Sequence, residues 1–429
     1  MVQGHAIDSS LQPASLSRKS FLIHSTTVLL GLFVCASLIT LGTIVFTPLN
    51  LEAPQYLNVL IGALIGYLIS SITLHNLGRF PGNRPLSYMI PVLTVSLLSI
   101  TAVIIFTRID YSRSVLLLTL CVVPVVTYSE FKLRQHLQTG RYAVVPFGFY
   151  HELLHINPSK FYALEEPSLT APDTIGIIVD SNEQLSAEWQ QFIASELSKD
   201  TPVMDSVAAY ESISGKSPLH HYGELAGHEL LPSQAYLTAK RLLESSLILL
   251  SSPITLPFIF IVAIAVKFES KGPAFFIQRR VGKGGREFNM YKIRSMYVNT
   301  VACSAESTTE ENDPRITPIG RIIRKFRVDE LPQFLNVIRG DMALIGPRAE
   351  ASSSAEELQN EIPLFHYRHI VRPGITGWAQ VTQGYASGVE GTREKLAHDF
   401  YYVKNLSIWL DLDIVFKTIK TMLTGFGAR

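Results

Sequence analysis

LLESSLILLSSPITLPFIFIVAIAV, residues 242–266, is long and apolar enough to enter a bilayer, yet Lys240 and Arg241 stand before it and Lys267, Lys271, Arg279 and Arg280 after it. Basic flanks mark cytoplasmic ends, so both ends of this stretch belong on one face of the membrane. Ser252-Pro253 and Pro257 interrupt its centre, and a proline inside a helix removes a backbone hydrogen bond and kinks it. A re-entrant helix that breaks at Ser252 and Pro253 and returns to the face it entered satisfies both facts. A plain fifth span would instead export every basic residue that follows. This stretch therefore decides on which side everything after residue 266 folds.

Upstream, runs 21–47, 57–74 and 86–106 contain no Asp, Glu, Lys or Arg, and each reaches or approaches the roughly 20 residues a span needs. A fourth run, Ser114–Tyr128, is shorter and contains Pro124. Arg18 and Lys19 precede the first run and Lys132, Arg134 and Arg141 follow the fourth, which puts both flanks in the cytoplasm and favours four crossings. The expectation is a tail at 1–20 and a four-helix transmembrane region at 21–130. Composition agrees: 47% of the 429 residues are hydrophobic and only 17% charged, a membrane protein with room for one or two folded domains. Cys35, Cys121 and Cys303 lie far apart, so neither a disulfide framework nor a cysteine-based metal site follows.

Residues 140–235 read as a small α/β domain, Rossmann-like but degenerate. TIGIIVDS (174–181), EQLSAEWQQFIASELSK (183–199) and PVMDSV (202–207) give strand, helix, strand. No GxGxxG is present, and Tyr210 stands where the GKS at 215–217 would need an upstream glycine to cradle phosphate. Segments 150–173 and 216–236, rich in Pro, Ser, Gly and His, read as linkers. Within the first, HELLH (His151–His155) matches a zinc-protease pattern. It follows a strand-like run with no room for a turn, is cut by Asn157-Pro158 and lacks a clear third ligand, so exposed loop histidines are the simpler reading.

The chemistry concentrates after residue 240. Between Lys267 and Arg348 there are 15 Lys and Arg against 9 Asp and Glu, a net +6 in a chain whose total is +1, which implies an anionic partner. Within it FRVDELPQFLNVIRGDMALIGPR (326–348) carries the adjacent carboxylates Asp329 and Glu330. Pro332, the spacing of Leu331, Phe334, Leu335 and Ile338, and Gly340 set a short helix that starts near Asp329. A carboxylate at a helix start is stabilised by the free N–H groups, so Asp329 is expected to stay ionised and able to act as a nucleophile or metal ligand. Before it, GPAFFIQRRVG, KGGR and EFNMYKIRSM read as a hairpin that projects Arg279, Lys292 and Arg294 beside the dyad. Ile316–Val328 and Phe400–Phe426 read as amphipathic helices suited to the membrane interface.

Together the Ser-Pro break, FFIQRRVGKGGREFNMYKIRSM, DPRITPIGRIIRKFRVDELPQFLNVIRGDMALIGPR and YRHIVRPGITGWAQV resemble the bacterial polyprenyl phosphosugar transferases that begin capsule, exopolysaccharide and O-antigen synthesis. The resemblance covers about 240–429, and four spans with a degenerate α/β domain look like the long form. It implies transfer of a sugar-1-phosphate, a hexose such as glucose or galactose, from a UDP-sugar to undecaprenyl phosphate at the cytoplasmic face of the inner membrane, with UMP released. Asp329 would form an aspartyl phosphosugar, Glu330 would face Mg2+, and Lys292, Arg294, Arg327, Arg348 and Arg279 would bind phosphate or uridine. Membrane lipids and a second copy of the chain are expected partners, and nucleic acid is not. Ala349 after Gly346-Pro347-Arg348, and Thr382-Gln383 after WAQV, depart from the family's usual Pro and Asn-Gly. Rival readings are a non-enzymatic scaffold or chain-length regulator of polysaccharide export, and a zinc protease using HELLH.

Overall fold

Apolar helices open the chain: α1 (Arg18–Phe46), α2 (Pro54–Leu77), α3 (Pro85–Phe106) and α4 (Arg113–Leu137). Each contains a segment long and apolar enough to cross a membrane, and the chain is a membrane protein. In this computed structural model the described residues are 18–46, 51, 53–81, 85–137, 140–219, 232–298, 313–362, 364–383 and 388–424. They fall into two compact units, Met1–Gly215 and Lys216–Arg429. The tail expected at 1–20 lies almost wholly outside the described residues, as does the glutamate-rich stretch before Asp313.

The fourth helix is longer than its apolar run because its charges neutralise one another. Glu130 pairs with Arg134 one turn on, and its Oε2 accepts from Tyr67 Oη at 2.9 Å and Ser71 Oγ at 2.8 Å on α2. Arg134 also meets His75 at 2.9 Å, and His75 stacks on His24 of α1 with centroids 3.9 Å apart. A polar group away from water costs several kcal/mol unless paired, so these contacts fix the mutual register of α1, α2 and α4.

After α4 the first unit continues as an α/β fold of β1 (Arg141–Val144), α5 (Tyr150–Ile156), β2 (Phe161–Ala163), β3 (Thr174–Val179), α6 (Ala187–Ser198), β4 (Val203–Asp205) and α7 (Ser206–Ser214). The sheet is parallel throughout, in the order β2-β1-β3-β4. Trp189 of α6 covers one face with Ala143 and Ile177, and Leu153 of α5 covers the other with Val144 and Ile178. Residues 150–173 are thus not a linker. The HELLH histidines sit on a helix rather than in a loop, because Leu153 is needed inside; His151, Glu152 and His155 remain exposed. No three metal-binding side chains converge among the described residues, and His220, His221 and His228 lie outside them. At the ends of β1 and β3, where dinucleotide folds hold phosphate, the Asp180 carboxylate instead accepts from Phe149 N at 2.9 Å and Asn182 N at 3.0 Å.

The second unit begins with α8 (Gln234–Glu269), a continuous 36-residue helix, so the break expected at Ser252 and Pro253 does not interrupt it. Pro253 cannot donate to Leu249 O, and Ser252 Oγ does so instead at 2.7 Å, so the Ser-Pro pair repairs the bond the proline removes. Lys240, Glu244 and Ile248 near one end and Ala263 and Val266 near the other are buried, whereas Leu250 (80%), Ile254 (78%) and Phe260 (67%) between them are exposed. Both ends lie on the same unit: Ile248 packs in a cluster with Met290 and Val337, and Val266 in one with Ile293 and Ile323.

The remaining elements are β5 (Phe275–Val281), β6 (Glu287–Ile293), α9 (Pro318–Lys325), α10 (Phe334–Arg339), β7 (Ala343–Ile345), α11 (Ser352–Glu361), β8 (Gly374–Thr376), α12 (Trp378–Thr382), α13 (Gly388–Lys404) and α14 (Ile408–Thr424). As the sequence predicts, β5 and β6 form an antiparallel hairpin, from Phe275 opposite Ile293 to Val281 opposite Glu287. β7 and β8 pair in parallel, and a Cβ on Gly374 would lie 2.1 Å from Gly346 N, so only glycine permits this approach.

The expected interfacial helix at 316–328 is shorter. Thr317 Oγ1 caps Gly320 N at 2.9 Å, Pro318 takes the first turn, and the helix stops at Lys325. It still presents Ile322 and Phe326 outward while Ile323 is buried. The expected single helix at 400–426 is instead a pair, α13 and α14, whose Phe400, Tyr401, Tyr402, Leu410 and Ile414 face inward. Beneath them Arg368 Nη2 and Asp399 Oδ2 pair at 2.7 Å with side chains 2% and 1% exposed, and Arg368 also reaches Glu350 at 3.1 Å. Removing one partner of such a pair leaves a bare buried charge and costs about 3–5 kcal/mol. Arg368→Met is therefore expected to lower the unfolding midpoint of the detergent-solubilised protein by several degrees, read by thermal unfolding.

Candidate active site

Asp329 and Glu330 lie on a 3-10 helix, Val328–Gln333, that runs into α10. The sequence expects one short helix here. Its first turn is tightened because Pro332 supplies no N–H, and Gly340 (φ 91°) ends it where expected. Arg327, immediately before, adopts φ 53°, ψ 26°, a left-handed conformation costly for a non-glycine residue and typical of functional turns. Asn336, fully buried, ties this helix to the hairpin. Its Nδ2 donates to Asn289 O at 2.8 Å, and its Oδ1 accepts from Tyr291 N at 3.2 Å. That places Glu330 against β6.

Three cations from three elements surround Glu330: Lys292 Nζ at 3.4 Å, Arg327 Nη1 at 3.3 Å and Arg348 Nη1 at 3.9 Å. Burial alone would raise its carboxyl, but Lys292, Arg348 and Arg327 hold it below the usual carboxylate range. Burial pushes the Lys292 ammonium down, with Glu330 partly opposing. Asp329 forms no ion pair within 4 Å among the described residues. Burial, and then the charge of Glu330, raise its pKa to about 6 against Lys292 and Arg324. The helix-start argument, which expected only stabilisation of the anion, missed this burial; at neutral pH the anion still predominates.

Of the five basic residues singled out from the sequence, Lys292, Arg327 and Arg348 converge on the dyad. Arg294 does not. Its guanidinium closes the end of α8, donating to Lys271 O at 2.8 Å and to Ser270 O at 2.7 Å. Arg279 is exposed, and it is Arg280, on the opposite face of β5, that lines the small cleft with Lys292, Glu330 and Arg348. Burial, with Arg348 adding to it, lowers the Arg280 pKa to about 10. Strand alternation separates the two arginines, but the choice between them needs the register. Asn336 was also missed, although an Asn between Leu335 and Val337 is a visible break in an apolar helix.

The two adjacent carboxylates offer too few donors for a closed metal cage. Mg2+ is commonly held by one or two carboxylates with substrate phosphates completing the octahedron, and this donor set fits that arrangement.

A buried carboxylate pair ringed by cations, set beside an apolar helix, defines a membrane enzyme that handles phosphates. Residues 235–425 match the family described as bacterial sugar transferase. A UDP-N-acetylgalactosamine-undecaprenyl-phosphate N-acetylgalactosaminephosphotransferase of Aeromonas hydrophila is 41% identical over 87% of this chain and 88% of its own length. A UDP-glucose:undecaprenyl-phosphate glucose-1-phosphate transferase of Caulobacter vibrioides is 39% identical over 46% of this chain and 74% of its own. One of the same name from Escherichia coli K12 is 39% identical over 38% and 35%. The chain belongs to the bacterial sugar transferase family, the polyprenyl phosphosugar transferases that initiate polysaccharide synthesis, and it is an enzyme.

The placement of the two arginines yields a direct comparison. Arg280→Met is expected to lower turnover about a hundredfold, the usual scale for loss of one charge-stabilising donor, while Arg279→Met leaves it within about twofold. Initial rates of sugar-phosphate transfer by the two variants, normalised to folded protein, measure the difference, and equal losses would contradict the register argument.

Proposed function

We propose that the enzyme transfers a sugar-1-phosphate from a UDP-sugar to undecaprenyl phosphate through a covalent intermediate on Asp329, at the cytoplasmic face of the inner membrane. The observation that carries this is the asymmetry of the dyad. Glu330 is held by three cations, whereas the Asp329 carboxylate has no ion-pair partner among the described residues and is predominantly anionic at neutral pH. An ionised, uncommitted carboxylate beside a phosphate-binding ring is a competent nucleophile.

In this scheme an Asp329 Oδ attacks the sugar-bearing phosphorus, and the bond from that phosphorus to the bridging oxygen breaks. UMP leaves with the bonding electrons. An oxygen of the lipid phosphate then attacks the same phosphorus, and the Asp329 carboxylate departs unchanged. Splitting transfer in two spares a soluble and a lipid-borne phosphate from meeting directly. Lys292, Arg327 and Arg348 neutralise charge on the transferring group, with Arg348 suited to a two-pronged grip on phosphate. Mg2+, which Glu330 would hold together with the diphosphate, would supply further neutralisation of the leaving group.

Two features support the re-entrant placement of α8. Its ends pack on one unit, and its waist is exposed and apolar. With Lys240 and Arg241 before it and Lys267 and Lys271 after, both ends sit in the cytoplasm. Single cysteines from Ser233→Cys and Lys271→Cys, in a chain lacking its native cysteines, should both resist an impermeant thiol reagent in intact cells and react once the inner membrane is opened. Reaction of the second from outside would mean a full crossing.

For the sugar, the Aeromonas relative, which aligns through both units, makes UDP-N-acetylgalactosamine the first donor to test, ahead of the glucose or galactose expected from sequence. UMP release over a panel of UDP-sugars is expected to be highest with it. Asp329→Asn should abolish the phosphosugar adduct seen by intact-protein mass spectrometry and lower turnover by about a thousandfold or more. An adduct on that variant would rule out Asp329 as the nucleophile.

A further inference from the structure

A second cavity, of about 130 Å3, lies in the same unit across the β7–β8 ribbon from the dyad. The two sites share this ribbon but use opposite sides of it. Met342, Gly374 and Ile375 line the cleft at Glu330, whereas Ala343, Ile345 and Arg372 line the cavity. Besides the ion-paired Lys240 and Glu244, the charged residues of its lining are Arg241 at the start of the apolar part of α8, Lys283 in the hairpin turn and Arg372 just before β8. Among the described residues none of these three forms an ion pair within 4 Å or a side-chain hydrogen bond.

The neighbouring charges answer them only in part. Lys240 is buried and occupied by Asp411 and by Glu244 at 3.2 Å, and Tyr236 and Tyr402 both donate to Asp411, at 2.7 and 2.9 Å. One of those two carboxylates is therefore matched by Lys240 and the other is left, against three cations, so the cavity and its wall carry a net positive charge. Burial, and then the proximity of Arg241, lower the Arg372 pKa although Glu244 nearby opposes them, as expected of two guanidinium groups that face a common space whose one nearby carboxylate is shared with Lys240.

We propose that this cavity binds the phosphate headgroup of a membrane lipid, at a site separate from the catalytic cleft. Its position says why the phosphate is lipid-borne. Leu242 and Leu243, the next residues after Arg241, are 65% and 51% exposed and begin the apolar surface of α8. A headgroup between Arg241 and Arg372 thus has its acyl chains beside that surface, at the depth where basic residues meet anionic lipid. An anionic phospholipid and undecaprenyl phosphate offer the same chemistry there.

The test uses the full-length protein in nanodiscs, released for native mass spectrometry. Discs of phosphatidylcholine are compared with discs containing phosphatidylglycerol, and with phosphatidylcholine discs doped with undecaprenyl phosphate. Retention of either anionic lipid over phosphatidylcholine is expected. A basic residue near an anionic surface is worth about fivefold in affinity, so Arg241→Gln with Arg372→Gln should reduce retention about thirtyfold, and Lys283→Gln, at an exposed turn where folding is not at risk, about fivefold. Arg241→Lys with Arg372→Lys, which keeps both charges, should keep most of it. Preferential retention of phosphatidylglycerol would identify a phospholipid occupant, and of undecaprenyl phosphate alone the acceptor itself; because the catalytic cleft also receives that acceptor, its retention upholds the site only when the double glutamine variant loses it. Equal retention of phosphatidylcholine, or retention unchanged in Lys283→Gln and in the double glutamine variant, would overturn it.

Discussion

Glu330 is the residue on which the catalytic unit converges. A carboxylate taken out of water is costly unless neighbours answer its charge, and here the answers come from a strand (Lys292), from a residue in a left-handed turn (Arg327) and from the segment after β7 (Arg348). Each reaches it only if the hairpin, the turn and the β7–β8 ribbon are in register. Asn336 locks the first relation by bonding both Asn289 and Tyr291, and the glycine contact between residues 346 and 374 locks the last. Asp329, buried beside it, is left without an ion-pair partner among the described residues by this arrangement, since the cations nearest the dyad are drawn to its neighbour.

The same economy of pairing runs through the apolar parts. In the first unit Glu130 and Arg134 sit within a helix of membrane length because they pair with each other and Tyr67, Ser71 and His75 add hydrogen bonds to them. In α8 the serine before the proline returns a donor to the carbonyl that the proline strands. Both reduce the cost of placing backbone or charged groups in hydrocarbon, where water cannot satisfy them.

Much of this was legible from residue order alone. Apolar run length located four of the membrane-length helices and the basic flanks decided the shorter fourth run, period-two patterning and the KGGR turn set the β5–β6 hairpin, and strand-helix-strand spacing found β3, α6 and β4. The dyad stood out because two acids at a helix start lie in a strongly basic stretch. Residues whose roles depend on long-range register were not legible. Arg279 and Arg280 are adjacent in sequence, and only pairing with β6 says which faces Glu330. Arg294 carries a charge, but the backbone carbonyls at the end of α8 claim it. The aromatic run 400–402 looked interfacial because composition does not distinguish a side chain facing lipid from one facing a core. The burial that lifts Asp329 arises from elements distant in sequence, which a local capping argument omits.

The exposed waist of α8 has a thermodynamic corollary. Leu250, Ile254 and Phe260 are as apolar as core residues yet belong to no core of the protein, so the surrounding amphiphile completes the hydrophobic packing of the catalytic unit. By mass action, anything that binds the folded chain and not the unfolded one raises its stability in proportion to the logarithm of its free concentration. Detergent or bilayer is in this sense a stoichiometric component of the fold, and a melting temperature for this enzyme has meaning only at a stated amphiphile concentration.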